Sequence, residues 1–473
     1  MSALDSLLAP ASVAVVGASD NPHKVGGRPL RYLLDQGYAG RIYAVNPRQR
    51  SVQGLPAFAG LDALPEVPDV AVLCVAAEQA EEQLELAARL GVRHALLFAS
   101  GYAEVGAEGA AREQRLLAIA RSGGLRLLGP NSIGVASFDS GAVLSFASIY
   151  TDHAPADGAV AIVSQSGAFG VSAYALLREQ GIGVRCVAAT GNEADLCCAD
   201  FVDALARRPG VRLLLLYLED VQDAALMRRA LETARAHGVA VLAVRAARST
   251  EGRRSARWHT GSEGAADARL DAMFAAAGCR TVAHLGELVA SVPLYLDPAA
   301  RSPATPPRIA IVSNSGASCV LAADAADRLG LPLAELGAGT RAMLDASLPP
   351  FSLNRNPIDL TAMLLADASL LGRVMTGVLA DPGVDAALLG LLAIGGPSYD
   401  VPRFAREARQ AALAAGRPLA LYSPHAHVRA TFAREGVAVY THEAEALQAL
   451  AEHAAHRRAL QPAGVAQEEL HNA

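Results

Sequence analysis

The residues most able to do chemistry begin with a histidine in an arginine-rich stretch. RAARSTEGRRSARWHTGSEG spans residues 245–264, and His259 sits between Trp258 and Thr260-Gly261. An imidazole is a competent nucleophile toward a phosphoryl group at neutral pH. Arg245, Arg248, Arg253, Arg254 and Arg257 surround it with positive charge, which suits a transferring phosphate. Of 12 histidines no other has this setting. His425 and His427 stand two apart without an evident third ligand, so no metal site is expected. Glu219 closes the apolar run LLLLYLED, where a carboxylate at a strand end can fix an imidazole tautomer. The competing readings are a solvated basic surface for the first stretch and an ordinary strand end for the second.

Two S-x-S-G turns carry the next signal: Ser164, Ser166 and Gly167, then Ser313, Ser315 and Gly316. Each follows a short apolar strand and opens a helix. Small hydroxyl residues plus glycine leave the helix N-terminus open to an anion. A single such turn reads as an N-cap; two at matched points of a repeat favour phosphate binding. Neither is the GxSxG elbow of a serine hydrolase. A third glycine turn, GASDNPHKVGG at residues 17–27, also joins a strand to a helix and contains Lys24, the sole lysine of the chain. Its ammonium can neutralise a pyrophosphate. Arg48 in VNPR ends the second strand and can grip a phosphate bidentately. Later strands end in FASGYAE (98–104) and GPNSIGV (129–135), edges where open α/β sheets bind ligands. The first turn is not GxGxxG, and no GxxxxGK[ST] loop occurs, so nicotinamide-dinucleotide and P-loop readings rank low.

Positioning these residues requires a particular framework. Apolar runs of four to seven residues alternate with amphipathic segments from the N-terminus onward, the pattern of a parallel, doubly wound α/β sheet. The reading gives three α/β domains: residues 1–140, 150–300 and 307–460, with a looser stretch around 136–158 and a Pro-rich linker, SPATPP, at 302–307. The second and third resemble each other. Residues 160–181 align without gaps to 309–330 with ten of 22 positions identical, and GNEAD…PGVRLLLLYLE is matched downstream by NPIDL…PGVDAALLGLLAI. One duplicated flavodoxin-like unit explains this order.

Composition sets the outer bounds. The chain has 473 residues, 52% hydrophobic and 19% charged, enough for large cores and too apolar for disorder. A formal net charge of −6 gives no footprint for nucleic acid, and no apolar run is long enough to span a bilayer. Six cysteines without CxxC spacing, two of them adjacent at 197 and 198, point to a reduced, cytoplasmic protein.

Taken together, GAS, VNPR, SGYAE, GPNSIG, SQSGAFG, GNEAD, LYLED, the basic stretch with HTGS, SNSG and NPIDL occur in that order. This resembles the alpha part of ADP-forming (NDP-forming) acyl-CoA synthetases and, more distantly, the succinyl-CoA ligases. The resemblance covers residues 5–455. It implies an N-terminal Rossmann-like CoA-binding domain followed by two flavodoxin-like ligase domains. It implies that Gly17, Ser19, Lys24, Arg48, Ser100 and Gly101 contact coenzyme A, that His259 carries the phosphoryl group, and that Glu219 orients it. The SQSG and SNSG turns would hold the phosphoryl group. Ala168, Phe169 and Val171, with the Gly191-Asn192 loop, would wall the acid's pocket. The implied reaction is acid + CoA + ATP ⇌ acyl-CoA + ADP + phosphate, with ATP/ADP and Mg held by a separate ATP-grasp beta subunit in an oligomer. Trp258 stands where the family has a small residue, Arg245 where it has lysine, and GSEG follows HTG. These departures keep a second reading open: a catalytically silent CoA-binding regulatory protein of the same fold.

Overall fold

The computed structural model describes residues 4–260, 268–296, 305–349, 355–395 and 398–461; the side chains of 257–260 lie outside the described residues. Among the described residues the strands form three sheets. The chain divides into two compact units, Met1–Leu288 and Val289–Ala473.

The first sheet uses β1 (Ser12–Val16), β2 (Arg41–Val45), β3 (Ser51–Val52), β4 (Leu55–Phe58), β5 (Val70–Leu73), β6 (His94–Leu97) and β7 (Arg126–Leu128). Their order is β3-β4-β2-β1-β5-β6-β7, parallel except for the β3–β4 pair. β1 and β5 are buried throughout, which is why they read as continuous apolar runs. The chain leaves β1 toward β2 on one side and later returns to β5 on the other. That reversal is the topological switch point, where a crevice opens at the strands' carboxyl ends.

The second sheet is built from β8 (Gly134–Ser137), β9 (Ala142–Ser145), β10 (Val160–Ser164), β11 (Val184–Ala189), β12 (Leu213–Leu218), β13 (Ala240–Arg245) and β14 (Cys279–Val282). Its order is β14-β13-β12-β10-β11-β8-β9, with β8 and β9 as an antiparallel hairpin at one edge. The stretch read from sequence as loose is therefore partly this hairpin. Its strands are only four residues each and are broken by Asp139-Ser140-Gly141, so they lack the long apolar run of a central strand. One buried cluster runs from Val13, Val15 and Val72 of the first sheet through Phe98, Val135 and Leu144 to Leu214 and Leu216 of the second. The first two expected domains thus share a core inside one compact unit.

The third sheet, in the second unit, comprises β15 (Ile309–Ser313), β16 (Ile358–Asp359), β17 (Ala386–Gly390), β18 (Leu419–Tyr422) and β19 (Ala438–Tyr440), all parallel in the order β16-β15-β17-β18-β19. It has its own core, including Phe404, Phe432 and Met375. The repeat is visible in register: Ser164 lies opposite Tyr217 across β10–β12, and Ser313 opposite Gly390 across β15–β17. The second unit begins within the Leu285–Leu296 helix, ahead of the expected Pro-rich linker, whose first half lies outside the described residues. No described helix is long and apolar enough to cross a membrane.

Candidate active site

The crevice at the switch point is real space. Gly17, Asn46, Pro47, Arg48, Val75 and Gln79 line part of a cleft of about 510 Å³ that straddles β1. Gly17 has φ +80°, and a Cβ there would stand 2.5 Å from the Cys74 carbonyl oxygen, so the turn after β1 admits only glycine. Ser19 and Lys24 lie on the adjoining turn. The Ser19 N–H donates to the Gly26 carbonyl at 3.1 Å and its hydroxyl accepts from the Asn21 N–H at 3.2 Å. Lys24 is exposed and pairs with no carboxylate among the described residues.

The turn is held by two side chains that sequence reasoning missed. Asn46 Nδ2 donates to the Ala18 carbonyl at 2.8 Å. Gln53 Nε2 donates to the carbonyls of Ser19 and Gly27, both at 2.9 Å, while its backbone N–H donates to Asp20 Oδ1 at 2.7 Å. With these carbonyls tied down, the N–H groups of Val25 and Gly26 keep no partner among the described residues and remain available to an anion. Residue types and cleft thus fit a phosphorylated, elongated cofactor such as coenzyme A. Ser100 is exposed, on the turn after β6, whereas the Gly101 N–H is already taken by Glu104 Oε1 at 2.5 Å.

The second constellation gathers where β10 and β12 end side by side. The Ser166 side chain caps the Gly167–Glu179 helix, accepting from the Phe169 N–H at 3.4 Å. Ser164 is fully buried and donates to the Ser166 carbonyl at 2.6 Å, which shapes the turn. The N–H groups of Gly167 and Ala168 have no partner among the described residues, the open donors that an anion site needs. Next to them, Gln165 acts as a four-way clamp. Its Oε1 accepts from the backbone N–H groups of Glu219 at 2.6 Å and Asp220 at 3.1 Å. Its Nε2 donates to Glu193 Oε2 at 2.9 Å and to the Asp220 carbonyl at 3.0 Å. Glu219 is buried, and its Oε1 accepts from the Tyr217 hydroxyl at 3.1 Å. Burial and the neighbouring Glu219 charge raise the Tyr217 phenol above its usual range, keeping it a donor. Phe169 stacks on the Tyr217 ring, centroids 4.2 Å apart, so a half-buried apolar wall adjoins the carboxylate. Val171 is half-buried on the same helix and Ala168 is exposed at its start.

The Gly191-Asn192 loop serves differently from the expected pocket wall. Gly191 has φ +66°, and a Cβ would meet the carbonyl oxygens of Pro130 at 2.4 Å and Asn131 at 2.6 Å. It is a packing glycine. Asn192 is buried with its amide committed to Glu104, Glu113 and Asn131. Neither side faces open space. Glu193, at φ +59°, accepts from Thr190, Cys198 and Gln165, and burial raises its carboxyl above the usual range.

The basic stretch is largely a helix, Thr250–Thr260, packed against the short 3-10 turn Ala103–Val105. Only one described side chain of it, Ala256, is buried, so no apolar periodicity marked it in the sequence. His259 falls in its last turn; its side chain, and those of Arg257 and Trp258, lie outside the described residues, as do Gly261 and Ser262. The expected positive field is partly cancelled. The Arg245 side chain is buried, pairs with Asp271 and lies over the Phe274 ring; Arg248 pairs with the same Asp271 at 2.7 Å. Arg254 pairs with Glu251 at 2.6 Å, and Arg253 donates to the Arg248 carbonyl.

In the second unit, Ser315 caps the Gly316–Arg328 helix by accepting from the Ser318 N–H at 3.4 Å, and Ser313 is fully buried. Here Asp359 intrudes: its Oδ2 would lie 2.9 Å from a Cβ on Gly316. A carboxylate beside a helix N-terminus competes with an incoming anion, so this turn is a poorer phosphate cradle than its counterpart. Among the described residues no group of His, Cys, Asp and Glu side chains could hold a metal ion.

Comparison with known proteins agrees with this anatomy. Residues 11–137 match the CoA binding domain model, and residues 157–295 match the succinyl-CoA ligase like flavodoxin domain model. The alpha subunit of acetate–CoA ligase (ADP-forming) II from Pyrococcus furiosus is 31% identical over 384 residues, 81% of each chain. Acetate–CoA ligase (ADP-forming) I from Archaeoglobus fulgidus is 33% identical over 367 residues, 77% of this chain and 51% of that one, so this chain spans about half its length. The solved structure of dinucleotide forming acetyl-coenzyme A synthetase 1 from Ca. Korarchaeum cryptofilum superposes with a TM-score of 0.85 at 25% identity, covering 97% of both chains. With the CoA-binding fold, the ligase-type fold and the order of its motifs all in agreement, the chain belongs to the family of ADP-forming acyl-CoA synthetases, on the alpha-subunit side.

Proposed function

We propose that this chain performs the thioester and phosphohistidine half of acid + CoA + ATP ⇌ acyl-CoA + ADP + phosphate. Coenzyme A binds at the β1–β5 switch point, its phosphates met by Lys24, Arg48 and the open N–H groups of Val25 and Gly26. In the thioester-consuming direction, a phosphate oxygen attacks the acyl carbonyl and the coenzyme leaves as thiolate. The His259 ring then attacks phosphorus of the acyl phosphate, and the carboxylate leaves. The phosphoryl group finally passes to a nucleoside diphosphate. The chain's own contribution is positioning: open amides at Gly167 and Ala168 for the phosphoryl oxygens, and Glu219 to hold the imidazole tautomer.

The observation that carries this reading is the meeting of Glu219 with the open SQSG turn through Gln165, beside the Phe169–Tyr217 stack. It brings an acid, an anion cradle and an apolar wall to one sheet edge. The apolar wall favours a small acid with an uncharged body. The nucleotide step we assign to an ATP-grasp partner carrying Mg. Support comes from the lack of any GxxxxGK[ST] loop and of any lysine beyond Lys24. All six cysteines are free, which fits work in a reducing cytoplasm.

The deciding experiment incubates the chain with acetyl-CoA and radiolabelled phosphate, with an ATP-grasp beta subunit present. Acid-labile label on the chain, absent from His259→Ala, is expected. A wild-type chain that stays unlabelled with every acyl-CoA tried, while still binding CoA, would overturn the reading. It would favour the regulatory alternative, whose specific support is the commitment of Arg245 and Arg248 to Asp271.

A further inference from the structure

The turn after β6 is built around its own carboxylate. Glu104 Oε1 accepts from the N–H groups of Gly101 at 2.5 Å and Tyr102 at 3.2 Å. Its Oε2 accepts from Tyr102 N–H at 3.2 Å and Asn192 Nδ2 at 2.6 Å. The same Asn192 nitrogen donates to Glu113 Oε2 at 2.9 Å, and that oxygen also accepts from the Ala103 N–H at 3.3 Å. Asn192 Oδ1 accepts in turn from Asn131 Nδ2 at 3.2 Å. Every polar group of the Asn192 amide is therefore spent on the turn or its supports, and Asn192 and Glu113 are buried. The neighbouring Glu193 continues the chain of contacts to Gln165 and so to the Glu219 backbone. On the far side, the Ala103–Val105 turn is the surface on which the Thr250–Thr260 helix rests.

We propose that Glu104, held by Asn192, is a positioning residue: it shapes the Ser100–Tyr102 turn for coenzyme A and, through Ala103–Val105, seats the helix that carries His259. The coenzyme and histidine roles rest on the function proposed above; the seating of the helix does not. The physical reason for a carboxylate here is that two adjacent amides and a side-chain amide converge on it. Only an ionised group with several lone pairs accepts from all of them. Asn192 is the matching part, since a single NH2 group serves two carboxylates at once and keeps Glu104 and Glu113 together without a cation.

Glu104→Gln and Asn192→Asp test this in the full chain. The first replaces an acceptor oxygen with a donor facing other donors. The second sets a third carboxylate against two. Amide hydrogen exchange across residues 250–260 is expected to speed up roughly tenfold in both, the loss of one charge-assisted hydrogen bond, with exchange in the third sheet unchanged. CoA affinity by calorimetry is expected to fall by a similar factor. Unchanged exchange across 250–260 in both variants would overturn the proposal. If the wild-type chain binds no CoA at all, the coenzyme reading fails instead, and helix exchange still decides the seating role. Glu104→Ala adds a control: a general loss of folding speeds exchange in every sheet, and that outcome would count against a local positioning role.

Discussion

At the residue scale, Glu219 shows how this chain holds the carboxylate we propose for orienting the histidine. Its position is set by two backbone N–H bonds to Gln165, at its own residue and the next, and its carboxylate is oriented by Tyr217. Glu219→Gln keeps the backbone clamp and loses the charge. The expected result is a fall of about two to three orders of magnitude in phosphohistidine formation with CoA affinity retained, read by label on the chain. Gly17 is the sharpest backbone constraint. Gly17→Ala pushes a methyl to 2.5 Å from the Cys74 carbonyl at φ +80°, so a loss of about 1–3 kcal/mol in stability and of CoA binding is expected in denaturant titration and calorimetry. Glu113 carries a pH signature. Burial first, and then the charge of Glu104, raise its carboxyl above the ordinary 4.5, against hydrogen bonds from Asn192 and Ala103 that lower it. A carboxyl with a raised folded value stabilises the fold below its ordinary value. That contribution is lost as pH rises through the folded value. Wild type should therefore lose stability relative to Glu113→Gln as pH climbs from about 4.5 toward neutral, measured as denaturation midpoints at several pH values.

Elements, rather than single side chains, decide how these groups meet. β12 is a buried aliphatic strand with one polar-tipped residue, Tyr217, just before its end. Leu216 is fully buried beneath it, and Leu216→Ala is expected to cost about 2–5 kcal/mol by chemical denaturation. The β3–β4 hairpin looks incidental in the sequence, yet it delivers Gln53 to the turn after β1. Gln53 sits at φ +48°, a backbone that glycine accepts freely. Gln53→Gly should thus keep the thermal midpoint while weakening CoA binding about tenfold, because two carbonyls of the turn lose their clamp. The Thr250–Thr260 helix teaches the opposite lesson. Its arginines favour helix, but Gly252 and its exposed faces do not, and a short helix of this kind needs a tertiary seat. That seat is Ala103–Val105, about 150 residues away in sequence.

For the whole molecule, the main expectation concerns what the chain does alone. It spans 81% of an alpha subunit and about half the length of another ligase in the same family. The isolated 473-residue chain is expected to bind CoA yet to form no thioester from acid and ATP; adding an ATP-grasp subunit should restore synthesis. Thioester synthesis by the purified chain alone, followed by a coupled thiol assay, would contradict that division of labour. The internal repeat bears on the same question. Duplication supplied two S-x-S-G turns, but Asp359 stands against the second one while Gln165 and Glu219 frame the first. Identical local motifs have thereby become unequal sites.

Local order in the sequence was enough to establish the α/β class, the duplicated unit, the three glycine turns and the residues flanking them. Strand periodicity and turn chemistry act over a few neighbours, and those are legible in a string of letters. Tertiary structure alone decided which polar side chains converge. Gln165 reaches Glu193 across 28 positions and Glu219 across 54, and Asn192 reaches Glu104 across 88. Tyr217 offered a faint hint as the one hydroxyl in an aliphatic run; Gln53, Glu104 and Glu193 offered none. The joining of the first two domains into one core, the edge hairpin and the basic helix belong to the same class. Each depends on burial between segments far apart in the chain, which no local spacing encodes.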